Sequence, residues 1–526
     1  LEKSAVEAYL KHRAVVNVDS FYRCRKFNFT DRAACVQLLR SRGYVFEDVR
    51  IAHHPEIGKS LAEPYDRFRS STIAAIEDNV DDPILEAIAP VEVIAPVAVK
   101  PDRNLIVLTS YLLKTHVYKP FFTNLIHFCE TNGAQLIVLV HRYHNPTNNE
   151  QVENQNKTQW IDPIVAPYLC WERFDHGDFT VYADVRINPT NLNPLNPLRS
   201  TWRKHSIYGH TTQSLTTGNN SVNLDSPIAW CTGTLSQMDG ADNLTAKKAE
   251  YHQRYGFLVC DGKSVRNVHA RKHDGSFTDL STTYYIDADD RPSMVPTKPT
   301  DVVWGDLHIG NHDIDALEWA IEQTANLDPK QIVLHDMFDG ASINPHTEDE
   351  IERRDRYRSL SDEIDANYRV LNNIDLALAQ RGCSAKLAVA ESNHHQFIDR
   401  YLSTVKPQQL GRDDREILRR WLYGGFKAIF PSLIHLDYDY VSQGIRLGHH
   451  GHKGANGAKG SLMNDFQSSL RQIAGHTHIP AILGGSERVG CLCRLQQPYN
   501  KNSLSGWRHS IAIVQPGSKI QHLIRF

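Results

Sequence analysis

The chain reads as an α/β protein in which one fold occurs twice, behind a small, mainly helical N-terminal module. Three observations predict this. Across residues 301–526 short apolar strands alternate with helical patterns, five of those strands run directly into clusters of Asp, Asn or His, and the layout of 302–345 recurs in 105–146. Alternating strands and helices build layered α/β domains, whose ligands collect beyond the carboxyl ends of the strands.

At 526 residues the chain exceeds one compact unit, since domains typically hold ~100–200 residues. Two proline-rich stretches read as linkers, 83–101 and 291–300. They leave a small basic module (1–82), a middle part (102–290) and a third part (301–526). In the module a helix is expected from Thr30 as N-cap to Gly43. Its basic face could touch phosphates, or it could be a solvated packing surface.

Composition removes some function classes. With 58 Lys plus Arg against 61 Asp plus Glu the net charge is −3, so attraction to a polyanion must come from local basic surface or bound cations. Apolar runs are too short to cross a bilayer, and the first residues lack the apolar core of a secretory signal, so a cytosolic protein without membrane contact is expected. Nine cysteines without a C-x-x-C pair read as reduced, mostly buried thiols. The 27 histidines are the excess to explain.

In the third part, strands are predicted at Val302–Trp304, Gln331–Leu334, Lys386–Ala390, Gly444–Leu447 and Gln472–Ala474. The clusters that follow are G-D-L-H (305–308), H-D-M-F-D (335–339), E-S-N-H-H (391–395), G-H-H-G-H (448–452) and G-H-T-H (475–478). A D-x-H triplet alone is common by chance and G-H-x-H is rare; five in order, each after a strand, point to a site. Imidazoles mixed with two carboxylates leave two divalent cations with a residual charge near +2, which suits a phosphodiester, and the N/O set favours Mn²⁺, Fe²⁺ or Zn²⁺ over Ca²⁺. Taken singly, His312, Asp313, Asp315, His335 and His346 read as turn, cap or orienting residues.

The ordered clusters resemble those of the calcineurin-like metallophosphoesterases, a β-sandwich flanked by helices, and within them the double-strand-break-repair nucleases. The resemblance covers essentially all of 301–526. It implies that Asp306, His308 and His478 hold one metal, that Asn393, His450 and His476 hold the other, and that Asp336 bridges them. His394 resembles the family's non-ligand catalytic histidine. Three positions depart from the pattern: Asp339 stands where the repair nucleases often have histidine, His395 replaces an acid, and His449 and His452 compete with His450 for the fourth motif.

The middle part repeats the layout without the chemistry. LIVLTSYLLKTH (105–116), AQLIVLVHRYHNP (134–146) and IYGHTTQS (207–214) parallel VVWGDLHIGNH, KQIVLHDMFDG and IAGHTHIP. Alignment sets Tyr111 against Asp306, Leu113 against His308, Arg142 against Asp336 and Thr212 against His478, so a degenerate copy without metal is expected. Arg142 could contact a phosphate, or the copy could serve as scaffold.

The resemblance implies a Mn²⁺-dependent deoxyribonuclease holding two metal ions. It is similar to the nucleases that degrade host DNA early in lytic phage infection, acting in the bacterial cytoplasm. Lys453 and Lys459, in a glycine-rich loop, are candidate phosphate contacts. A phosphatase or small-molecule phosphodiesterase is the enzyme alternative. A takeover protein that binds DNA or host factors is the non-enzymatic one, and self-association into a homo-oligomer is compatible with either.

Overall fold

The computed structural model describes residues 101–141, 161–221, 225–237, 244–344, 357, 359–406, 408–468, 470–497, 500–517 and 519–526, together with short pieces nearer the N-terminus. The chain divides into two compact units, Leu1–Glu92 and Val93–Phe526. In the first unit, Val15–Asn17, Ile51–His53 and Val45–Phe46 form a three-stranded antiparallel sheet with Ile51–His53 at its centre. Most of the helix expected over 30–43 lies outside the described residues, as do residues 83–100, Arg142 and His346.

The second unit is α/β, with several sheets and few helices. In its C-terminal half a six-stranded sheet runs in the order Ile434–Leu436, Lys386–Ala390, Gln331–Leu334, Asp301–Trp304, Ser510–Gln515, Lys519–Ile524. The first four strands are parallel and the last two antiparallel. Apolar residues occupy both faces of these strands, as a sheet covered on both sides requires. Val302, Trp304, Ile332, Leu334, Leu387 and Val389 pack on the helix side; Val303, Val333 and Ala388 meet a second sheet through Ile445, Leu447, Ile473 and Val489. The helices are Ile314–Leu327, Leu360–Gln380, His395–Thr404 and Arg412–Ile429. Asp313 caps the first by accepting from the Ala316 amide, and Ser359 caps the second by accepting from Asp362.

The N-terminal half has a similar strand order with one strand fewer. Its five-stranded sheet runs Val265–His269, Gly256–Cys260, Ile106–Leu112, Gln135–His141, Leu169–Cys170, antiparallel for the first two pairings and parallel for the rest. Val107 and Val138 face the Lys119–Asn132 helix side with Phe121 and Leu125, whereas Ile106, Leu108, Ile137 and Leu139 face Ile207, Leu215 and Trp230.

Both halves contribute to one ten-stranded sheet: Val441–Ser442, Ile445–Arg446, Gln472–Ala474, Ser486–Arg488, Ala481–Leu483, His210–Thr217, Ile228–Gly233, His205–Tyr208, Phe179–Tyr182, Phe174–His176. Its central pair, Ala481–Leu483 against His210–Thr217, is antiparallel through Leu215 and Ile482. Outward from that pair the relations are antiparallel, parallel, parallel, antiparallel on both sides. The strand order therefore reads the same from either end. A second seam joins the other two sheets. The buried Asn267 side chain donates to the Ile520 carbonyl at 3.0 Å and accepts from the His522 amide at 2.9 Å.

One expectation is corrected. The 291–300 segment, read as a linker from its prolines, carries the strand Pro292–Pro296, which pairs with Thr282–Ile286. That strand is the edge of a three-stranded sheet, where a proline's missing N–H leaves no partner unsatisfied. No helix among the described residues is long and apolar enough to cross a membrane.

Candidate metal centre

Chain direction brings the clusters together. The parallel strands Asp301–Trp304, Gln331–Leu334 and Lys386–Ala390 deliver Asp306 and His308, Asp336, and Asn393 and His394 at their carboxyl ends. The facing sheet delivers His450 after Ile445–Arg446, and His476 and His478 after Gln472–Ala474. Two glycines explain the motif spacing. A Cβ on Gly475 would stand 2.1 Å from Asp306 Oδ1, so the loop can pass the carboxylate only without a side chain. One on Gly305 would stand 2.2 Å from the Gly490 carbonyl.

The polar atoms converge closely. His478 Nε2 is 3.0 Å from Asp306 Oδ2 and 3.3 Å from His308 Nε2. His450 Nε2 is 3.0 Å from Asp336 Oδ2, with His308 Nε2 at 3.8 Å and His394 Nε2 at 4.0 Å from the same oxygen. Two groups that could hold an ion, Asp306–His308–Asp336 and Asp336–His450–His476, share Asp336. Two others overlap them: His308–Asp339–His394 and His308–His478–Cys493.

Among the three histidines of the fourth motif, His450 faces Asp336. His449 instead pairs with Asp465 at 3.4 Å, and His452 Nε2 lies 3.5 Å from the Gln396 amide nitrogen. His335 is buried with its Nδ1 3.3 Å from His450 Nδ1.

The donor set fits divalent cations. Asp306 Oδ1, Asp336 Oδ1 and Asn393 Oδ1 are buried without a hydrogen-bond partner, and the other oxygen of each aspartate faces only an imidazole, His478 or His450, at 3.0 Å. Buried polar atoms are ordinarily satisfied, so this concentration of acceptors calls for positive charge between them. Side-chain ionisation agrees. Burial opposes charge on Asp336, yet His450, His394 and His308 hold its carboxyl well below the usual range. Burial likewise opposes charge on His450, but Asp336 raises it. His476, partly buried and beside His450, is pushed down to about 4 and remains neutral, the form that binds metal.

Backbone strain concentrates at the same place. His308, Asp336, His476 and His478 have φ of 45°, 39°, 71° and 58°, a region that side chains with a Cβ rarely occupy. Such outliers persist where surrounding structure over-determines them, commonly at functional sites.

Sequence reading missed the supporting residues. Asp339, the departure from the nuclease pattern, pairs with His308 Nδ1 at 3.0 Å and accepts from the Asn311 amide at 2.8 Å. Its backbone carbonyl accepts from His394 Nδ1 at 2.6 Å. Asp339 therefore fixes the ring orientation of His308 through its side chain and of His394 through its main chain. On the other side, Cys493 Sγ lies 3.6 Å from His478 Nδ1 and the Trp507 ring covers that imidazole with centroids 4.0 Å apart. The signals available were spacings, Asp336 to Asp339 and His308 to Asn311; nothing local marked Cys493.

Lys453 and Lys459 are exposed and face each other across a bridge in the loop that Gly460 closes by donating to the His452 carbonyl. In the arginine-rich helix 412–429, Arg412, Arg415 and Arg419 are exposed and Arg420 is engaged. Arg420 donates to the carbonyls of Ala428 and Ile429 across the kink at Gly424 and Gly425.

In the N-terminal half the equivalent positions are filled by self-contained groups. Tyr111 donates to the Thr115 carbonyl and accepts from the Asp162 amide. His141 bonds the Ile187 carbonyl, and His210 bonds Thr212 and the Asn188 carbonyl. None of the candidate ion-holding groups among the described residues lies in this half.

No protein-family model matches the chain. Over 465 aligned residues it is 24% identical to Protein A1 of Escherichia phage T5, covering 78% of this chain and 79% of that protein. No solved structure matches. The similarity points to a phage protein.

Proposed function

We propose that this protein is a metal-dependent deoxyribonuclease that holds two divalent ions, Mn²⁺ by preference, and hydrolyses DNA phosphodiesters in the host cytoplasm during phage infection. One observation carries the reading: buried, unpartnered carboxylate and amide oxygens of Asp306, Asp336 and Asn393 converge at the strand ends, with His450 and His478 facing the same carboxylates. Asp306, His308 and His478 would hold one ion, Asn393, His450 and His476 the other, with Asp336 between them. When bound, such a pair supplies Lewis-acid polarisation of the phosphoryl oxygens and lowers the pKa of a coordinated water.

The chain's own residues account for the rest. His394 is more accessible than His308 and His450, with 17% of its side chain exposed against 5% and 0%. Its Nδ1–H is held by the Asp339 carbonyl, so Nε2 is aimed at the site, placed to stabilise charge at phosphorus or to pass a proton to the leaving oxygen. Asp339 and Asn311 keep His308 from rotating. Lys453 and Lys459, exposed on their loop, supply positive charge for flanking phosphates. The similar strand order of the two halves supports reading residues 102–290 as a degenerate phosphoesterase copy.

The test is metal analysis of purified protein together with activity on plasmid DNA, linear DNA and a chromogenic phosphodiester, each with Mn²⁺, Mg²⁺ or Zn²⁺. Metal-dependent cutting of both DNAs is expected. Hydrolysis of the small ester with intact DNA would move the assignment to a small-molecule phosphodiesterase, and absence of bound metal would remove both.

A further inference from the structure

The near-symmetry of the second unit makes one asymmetry informative. Aligning Gly209-His210 with Gly475-His476 sets His205 against Arg471, and aligning the final strand pairs sets Arg508 against Arg254. Both arginines donate to backbone carbonyls, Arg254 to those of Tyr251 and Gln253 at 3.0 and 3.2 Å, so the corners differ in what surrounds them; at the first, Arg508 has the Asp225 carboxylate at 3.7 Å. Arg508 donates twice to the Ser226 carbonyl, at 3.1 and 2.6 Å, and its guanidinium lies over Phe526, which also packs on His205.

At the opposite corner the aromatic and neutral groups are replaced by cations. Arg254, Arg271 and Lys272 come from the N-terminal half, and Arg471 and Lys519 from the C-terminal half. The backbone at Gly517 approaches so closely that a Cβ there would stand 2.9 Å from Arg271 Nε. The carboxylates nearby are engaged. Glu487 is bonded by His522 at 2.8 Å and faces Arg471 at 3.5 Å, and Asp274 lies 4.0 Å from Arg271. Lys272 reaches the Glu250 carbonyl, a neutral acceptor.

Among the described residues, Glu487 and Asp274 are the two carboxylates in ion-pair range of these five cations, which leaves an excess of positive charge, and two further observations accompany it. His269, 4% exposed at the end of the Val265–His269 strand, has both ring nitrogens buried without a hydrogen-bond partner. Burial, followed by Lys519, Arg471 and Arg254, holds it well below the usual histidine range. Crowding marks the lysines as well. Burial and then Arg471, Arg254, Lys272 and Arg271 push Lys519 down to about 7, and burial and then Arg254 push Lys272 down to about 8. An excess of like charge gathered at one corner is relieved by an anion seated there.

We propose that Arg254, Arg271, Lys272, Arg471, Lys519 and His269 form a binding site for phosphate-group anions at the seam between the two halves, occupied by the backbone of DNA. The choice of DNA as the source rests on the nuclease reading; the anion site itself uses none of the metal-centre residues. Its role is to hold a polymer away from the point of cutting, adding affinity that a small phosphodiester cannot use.

The experiment measures binding with metal chelated, so that failure of cleavage and failure of this site are separate results. Fluorescence anisotropy of a short duplex is followed against salt for the full chain, the double variant Lys272→Gln/Lys519→Gln, and the control Lys204→Gln, whose lysine pairs with Asp175 elsewhere. The double variant leaves the Arg471–Glu487 contact in place. Its thermal midpoint is expected to equal or exceed wild type, because two crowded cations are removed. DNA affinity is expected to fall on the order of tenfold and the slope of log affinity against log salt by about two, with the control unchanged. Thermal stabilisation by inorganic phosphate should fall in the same variant. Loss of the phosphate effect with unchanged DNA binding would support the anion site and overturn DNA as its occupant. Unchanged DNA binding and an unchanged phosphate effect would overturn the proposal.

Discussion

Replacing Asp339 by asparagine tests whether the residue that departs from the nuclease pattern holds a metal ligand in place. Asp339 engages His308 Nδ1 at 3.0 Å with one oxygen and the Asn311 amide at 2.8 Å with the other, both away from solvent. Asparagine keeps the shape but exchanges one acceptor oxygen for an NH₂ group and removes the negative charge that favours the Nδ1–H form of His308. Removing the partner that orients a ligating imidazole typically lowers metal affinity ~10–100-fold, equivalent to ~1.4–2.8 kcal/mol. The backbone carbonyl that holds His394 is untouched by the substitution. Asp339→Asn is therefore expected to weaken Mn²⁺ binding by that factor in calorimetric titration of metal-stripped protein, while cleavage at saturating Mn²⁺ stays close to wild type. Unaltered Mn²⁺ affinity, or lost cleavage with full metal occupancy, would show that Asp339 does not act by positioning His308.

Three further outcomes are expected. Asp336→Asn should abolish cleavage and lose at least one metal by elemental analysis, whereas His394→Ala should abolish cleavage with metal content retained; equal metal loss in both would place His394 among the ligands. Asn267→Ala strands the Ile520 carbonyl and the His522 amide at the seam, each costing about 1–3 kcal/mol when buried without a partner, and denaturant titration should register the loss. Glu363, which accepts from the Ala341 and Ser342 amides below the Asp336 loop, is raised by burial, and further by Asp339, to about 7 from 4.5. Its folded form binds the proton more tightly than the unfolded chain. The associated stability, about 3 kcal/mol at 1.36 kcal/mol per unit, is fully present below pH 4.5 and lost as pH rises through about 7. Denaturant midpoints of wild type and Glu363→Gln should diverge across that window, and parallel curves would refute the shift.

The strands carrying the candidate site were legible because they are short β-branched runs ending in polar clusters. Gln331–Leu334, Lys386–Ala390 and Gln472–Ala474 are found at their expected bounds, and Asp301–Trp304 begins one residue earlier than expected. What escaped depends on contacts between distant segments. Cys493 reaches His478 only because Cys491 bridges to Asp306, and the ten-stranded sheet crosses between halves through the single register pair Leu215 and Ile482. Neither leaves a local pattern. Prolines misled at 291–300 because a breaker in a central strand is admissible at an edge. The left-handed backbone at His308, Asp336, His476 and His478 was invisible for the opposite reason, since none of them is glycine.

The pairing of Asp301–Trp304 with Ser510–Gln515 bears on when the candidate site can assemble during synthesis. The strand that carries Asp306 leaves the ribosome long before its antiparallel neighbour exists, and Asp306 itself is bridged by Cys491. Non-local pairings of this kind form late, after the intervening chain has been made. Under the proposed nuclease function, a nascent chain already bearing all five clusters still lacks the strand that closes the sheet, and activity is expected only once that segment has been made.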